Sequence, residues 1–257
     1  MGSEMGKSII FKCAPLLIFF PLLVACYSQQ TSWIKTDFEH HYDYDREVIL
    51  KSIDAGKEDL FSPLSREEAF SDDRFLSAPI PWQQADYIAI ALALSEEEGW
   101  IETFDQWEIG ALHFDLSCKY ADIGFSSARL DLYEAGSSEN THYRVIRRLR
   151  IDPLENLISV YESAEGTFSE FRKLPDVPIV DIYEINIPAE EALSQAEQAG
   201  GLAFRESKDD NCSIGISYSH AHDAWIVKYY SDTGVIQMMI YVNASSGEIE
   251  LIEESSP

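Results

Sequence analysis

Two stretches of this chain begin alike: Ile80-Pro-Trp-Gln-Gln-Ala-Asp-Tyr-Ile-Ala89 and Ile187-Pro-Ala-Glu-Glu-Ala-Leu-Ser-Gln-Ala196. Self-similarity constrains a fold more than any local propensity, because each copy brings the same element order with it. Pro81 and Pro188 sit at the start of a predicted helix, where a missing N–H costs nothing, and alanines follow at the same two offsets, Ala85/Ala89 and Ala192/Ala196. The two helices are expected to end near Gly99 and near Gly200-Gly201. After each comes alternating, β-rich sequence: Ala128-Arg-Leu-Asp-Leu-Tyr133 matches Ala224-Trp-Ile-Val-Lys-Tyr229, and Arg148 to Val160 matches Met239 to Leu251. Both of the last segments read strand, Asp/Asn turn, strand, which is a hairpin signal. The expectation is an α+β fold of two helix-plus-antiparallel-sheet units, the first over residues 79–175 and the second over 176–257.

The first predicted helix, Gln83 to Glu97, is apolar on every side between Tyr87 and Leu94. All-round hydrophobicity means burial from several directions, and the run is about half of what a membrane span needs, so it reads as a core helix between two sheets. Cys118 lies 12 residues before Leu130, and Cys212 lies 13 before its counterpart Trp225. The pair is open to two readings: a bridge between the units, provided the Cα atoms approach within about 7 Å, or two buried free thiols.

The N-terminus says where the chain works. Lys7 and Lys12 precede and interrupt an apolar run that closes in Leu23-Val24-Ala25-Cys26. A charged start, a short apolar core and small residues before a cut are the parts of a secretory signal. The closing four residues resemble a bacterial lipobox, which implies a signal peptide over residues 1–25 and a diacylglycerol thioether on Cys26 as the new N-terminus. The full chain carries 19 basic and 45 acidic residues, a net charge of −26, and loss of Glu4, Lys7 and Lys12 takes it to −27. Such a surface repels a phosphate backbone, so nucleic acid is excluded as a partner. It repels an anionic bilayer too, leaving attachment to the lipid at about 0.8 kcal/mol per buried methylene. Residues 26–78 read as a lipidated cysteine, a tether and an irregular lead-in, with a capping-box spacing from Ser65 to Glu68.

Residues 187 to 253 resemble the PepSY-like family of exported bacterial domains. The pattern is Ile-Pro-x-x-x-Ala-x-x-x-Ala at 187–196, Trp225-Ile-Val-Lys-Tyr-Tyr230, and the hairpin Tyr241-Val-Asn-Ala-Ser-Ser-Gly-Glu-Ile249. The first stretch departs from it with Leu130 in place of the tryptophan, an insertion from Glu98 to Ser117, and Asp152-Pro-Leu-Glu-Asn156 without a hairpin glycine. The resemblance implies a small α+β module with suspected roles in inhibiting or regulating envelope partners such as a peptidase or sensor. It brings no shared catalytic residues.

Chemistry is sparse. No Gly-x-Ser-x-Gly, His-Glu-x-x-His or phosphate-cradling glycine loop occurs, and nothing calls for a cofactor. His220-Ala-His222-Asp223 is a metal-like cluster if a strand turns both imidazoles to one face, and Glu39-His-His-Tyr-Asp-Tyr-Asp45 gathers similar groups. Arg144, Arg147, Arg148 and Arg150 concentrate positive charge, with Arg148 and Arg150 on one strand face. They could receive an anionic partner or pair with the protein's own carboxylates. These features favour a lipoprotein of the cell membrane's extracytoplasmic face, acting as a non-catalytic binding or regulatory module. An envelope hydrolase or metal-dependent enzyme using His220 or His222 is the alternative, and a solute-binding lipoprotein a third.

Overall fold

The computed structural model describes residues 32–44, 59–71, 81–100, 107–134, 143–167, 180 and 185–254. Cys26 and the predicted signal peptide lie outside them, as does the segment after Tyr44. Among the described residues no helix is long and apolar enough to cross a membrane.

Among the described residues ten strands form one antiparallel sheet: β1 (Ser32–Tyr44), β2 (Phe61–Leu64), β3 (Trp107–Ser117), β4 (Ser127–Glu134), β5 (Tyr143–Asp152), β6 (Leu157–Thr167), β7 (Ser213–Ser219), β8 (Ala224–Tyr230), β9 (Ile236–Asn243) and β10 (Ile249–Glu254). Their order is β10-β9-β8-β7-β3-β4-β5-β6-β1-β2. Among the described residues four α-helices accompany it: α1 (Arg66–Ala69), α2 (Gln84–Glu97), α3 (Ala189–Ala196) and α4 (Leu202–Ser207).

This corrects the expected fold class. The protein is mainly β, and there are not two helix-plus-sheet units. Each predicted helix is present and is followed by a four-stranded meander, but β3 pairs with β7 from His113↔Ser217 to Ser117↔Ser213. A first strand with one open edge is satisfied most cheaply by another such strand, so the two meanders share one ladder and one hydrophobic face. Consequently α2 packs on one side of a single sheet, not between two.

Period-2 patterning decides which side is buried. On β8 the residues Trp225, Val227 and Tyr229 point inward, and Leu130, Leu132, Phe114, Leu149, Ile151, Ile214, Ile216, Ile240 and Val242 join them. Complete burial of side chains of this size stabilises by roughly 1.5–3 kcal/mol each before entropy is counted. From α2, Tyr87 meets Phe114 edge-on at 5.8 Å and donates its hydroxyl to the Phe125 carbonyl at 2.7 Å. Phe114 also reaches Trp225 at 6.2 Å, so the aromatic core runs across the seam between the meanders. The N-termini of α2 and α3 meet at buried Gln84, whose Oε1 accepts the Ala189 N–H at 2.9 Å.

Two details differ from expectation. Residues 32–44, read as part of a tether and lead-in, form β1 and pair with β6 over almost its whole length. The second helix breaks at Gly200, whose φ of 135° suits glycine alone, and continues through a wide turn into α4. Arg205 of α4 is buried there, donating to Glu197 at 2.8 Å and to the Cys118 carbonyl at 2.7 Å.

Cys118 and Cys212 are joined by a disulfide, with Cα atoms 5.3 Å apart and a sequence separation of 94. The Cys118 N–H also donates to the Cys212 carbonyl at 3.0 Å. Both cysteines flank the β3–β7 pairing, one just after β3 and one just before β7.

Candidate functional site

The sheet's second face carries the polar side chains that alternation turns away from the core. Registers align one row across six strands: Ser217 on β7, His113 on β3, Arg129 on β4, Arg150 on β5, Ser159 on β6 and His41 on β1. A parallel row two residues along holds Ala111, Asp131, Arg148, Tyr161 and Glu39. No two of the first row's residues are close in sequence, so only the ladder brings them together.

The predicted arginine cluster resolves into members with different duties. Arg148 makes a two-pronged contact with Asp131, Nε to Oδ1 and Nη2 to Oδ2, both at 2.7 Å. Paired forks of this kind are strong and directional, and Arg148 is thereby committed to its own sheet. Arg147 points to the other side, bonds Glu162 at 2.7 Å and lies over the Trp100 ring at 5.0 Å. Arg150 has only Asp152 Oδ2 at 3.8 Å and keeps 63% of its side chain exposed.

Directly opposite Arg150 on β4 stands Arg129, also exposed and, among the described residues, without a carboxylate within ion-pair distance. Sequence reading missed Arg129. Its signal was the alternation of Ala128-Arg-Leu-Asp-Leu-Tyr133, which fixes the face but not the strand opposite.

Asp152 adjoins this pair at the end of β5. Burial pushes its carboxyl up to about 6, Glu155 adds to the shift, and Arg150 with the Leu154 and Glu155 N–H groups only partly offset it.

The histidines divide as well. His220 and His222 do not lie on a strand: they occupy the exposed turn between β7 and β8, and His222 rests edge-on against Tyr241. Asp223, the expected third group, is turned to the Tyr218 hydroxyl at 2.8 Å, and among the described residues no group of three metal-binding side chains assembles.

His41 is buried beneath Phe70, at the end of α1, with ring centroids 5.0 Å apart. Its Nδ1 is 3.0 Å from Ser159 Oγ and its Nε2 is 3.4 Å from Glu39 Oε1. Desolvation lowers its pKa against the pull of Glu39. Hydroxyl, imidazole and carboxylate in series resemble the parts of a nucleophile relay. Ser159 is nonetheless 4% exposed and sits in mid-sheet, where β5 and β1 pair with β6 on either side and leave no free amide for an oxyanion. The contact satisfies Nδ1 of a buried imidazole, while Nε2 has no hydrogen-bond partner.

No protein-family model matches the chain, and no curated protein matches it either. The PepSY resemblance of residues 187–253 accordingly gains no support from the comparisons. Among solved structures, a protein provisionally assigned as a lipoprotein, from Clostridium difficile 630, is similar at 12% sequence identity over 70% of this chain and 97% of that one, with a TM-score of 0.37.

Proposed function

We propose that this chain is a lipid-anchored protein of the extracytoplasmic membrane face that binds a partner or ligand and performs no chemistry of its own. Leu23-Val24-Ala25-Cys26 supports the anchor. The observation that supports binding is the side-by-side placement of Arg129 and Arg150 on the outer face, where, among the described residues, Arg129 has no ion pair and Arg150 only Asp152 at 3.8 Å, while Asp131 and Asp115 are held by Arg148 and His113. The expected site shifts by one residue in consequence: Arg150 stays in it, Arg129 enters, and Arg148 supports the rim through Asp131.

The experiment is metabolic labelling with palmitate followed by affinity capture from detergent-solubilised membranes, using the tagged full-length chain and Cys26→Ala as the unanchored control. Label on the native chain and none on the variant is the expected result. A native chain without label defeats the anchor. A captured envelope protein that is lost when Arg129 and Arg150 are replaced by Gln supports the binding reading. A clean preparation carrying only a metal ion or small molecule transfers the weight to an enzyme or solute-binding protein.

A further inference from the structure

We infer that Arg129 and Arg150 clamp one compact anionic group, a carboxylate or a phosphate monoester, on a ligand lying across β4 and β5. The inference rests on the outer face being the binding surface and adds the chemistry of what it holds. Two guanidinium groups directly opposite each other on antiparallel strands repel, and sheets ordinarily avoid that juxtaposition. Here the internal remedy is partial: among the described residues Arg129 has no ion pair, and Arg150 has only the long contact to Asp152. Asp131, two residues from Arg129, has both oxygens taken by Arg148. Asp115, on the strand beyond, is held by His113 Nε2 at 2.9 Å. Ser159, on the far side of Arg150, is engaged by His41, and Asp152 approaches Arg150 no closer than 3.8 Å. A carboxylate or phosphate between the two guanidiniums would accept N–H donors from both and remove the repulsion.

The rest of the molecule limits the ligand's charge. With a net charge of −26, the chain repels a polyanion at long range, so the ligand carries its negative charge at one end. A soluble metabolite or peptide terminus and a single lipid headgroup share that chemistry.

The test labels the full-length lipidated protein with 15N-arginine in neutral detergent at low ionic strength, and adds inorganic phosphate or acetate. The Nε–H signals of Arg129 and Arg150 should move together and saturate with a dissociation constant on the order of millimolar, weakening steeply with salt, while Arg148 and Arg205 stay still. Arg129→Gln and Arg150→Gln should each weaken binding about tenfold, the loss of one charge-assisted contact, and Arg129→Gln should leave or raise the denaturation midpoint, since it relieves a like-charge pair without removing an ion pair. Phosphatidic acid vesicles, whose headgroup is a phosphate monoester, compared with phosphatidylcholine ones separate the sources. Saturation by phosphate or acetate assigns a soluble ligand, and saturation on phosphatidic acid alone, lost in the double variant, assigns a headgroup. Shifts that never saturate in any arm, or that persist in the double variant, overturn the clamp. A captured partner indifferent to both arginines overturns it too, while leaving the binding module in place.

Discussion

Asp152 is the residue most out of balance with its surroundings. Its folded pKa of about 6 lies above the ordinary carboxylate value of 3.8, so the folded state takes up a proton before the unfolded chain does. The sign follows: the ionised form weakens the fold above pH 6, and the penalty is relieved as pH falls from 6 towards 4. Asp152→Asn should therefore raise stability at pH 7.5 by about 1–3 kcal/mol, and should flatten the pH dependence of urea midpoints between pH 4 and 7. Asparagine can still accept the Leu154 N–H that Asp152 Oδ1 receives at 3.1 Å, so the turn survives. A variant no more stable than the native chain at pH 7.5 would show that the carboxylate is better solvated than its burial implies. At this scale the candidate site was half legible. Arg150 stands out as part of a basic run in an acidic chain, whereas Arg129 becomes its neighbour only through the β4–β5 register, which is set by which hydrophobic faces must coincide.

Among the elements, those with local chemistry were readable. The helix capped by Pro188, the capping box at Ser65 and Glu68, and the turns at residues 153–156 and 244–248 all form as their sequences direct, while the helix after Pro81 starts three residues on, at Gln84. Asn156, with φ of 48°, takes the left-handed place that Gly247 occupies in the β9–β10 turn at φ of 76°. β3 was read as an insertion because its alternation is interrupted. Gly110 adds a residue between Ile109 and Ala111, so Ile109 points inward and the pattern resumes out of phase at Leu112. β1 was hidden differently: its charged and histidine-rich face reads as solvated, while inward-facing Tyr42 and Tyr44 supply little periodicity. The break between α3 and α4 supplies the test at this scale. Gly201 has helical dihedrals, but a Cβ there would meet the hydroxyl of fully buried Tyr229, which is itself bonded to Glu197 at 2.8 Å. Gly201→Ala should cost about 1–3 kcal/mol by chemical denaturation, as overpacking does. An unchanged midpoint would mean that the ring can retreat.

For the whole molecule, the disulfide matters through the length of chain it closes. A crosslink spanning 94 residues removes loop entropy from the unfolded state worth about 4–5 kcal/mol in the chain-entropy description. Replacing both cysteines by Ala, Cys118→Ala with Cys212→Ala, should lower unfolding free energy by roughly 2–5 kcal/mol while keeping the sheet order, measured by urea titration with and without reductant. The native protein in reductant should approach the double variant, and the variant itself should be indifferent to it. A native chain equally indifferent, with both cysteines shown by alkylation to have been reduced, would place the bond's effect below this range.

The β3–β7 ladder has a consequence in time. Chains are made from the N-terminus, so β3 to β6 exist before β7 does, and roughly 100 residues separate the strands that must meet at the seam. Over that interval the Phe114 strand is an unprotected border, able to recruit whatever extended segment reaches it first. The joint oxidation of Cys118 and Cys212 by an external thiol oxidant, which takes up the two electrons, then works as a clasp fastened last: it records that the correct strand arrived.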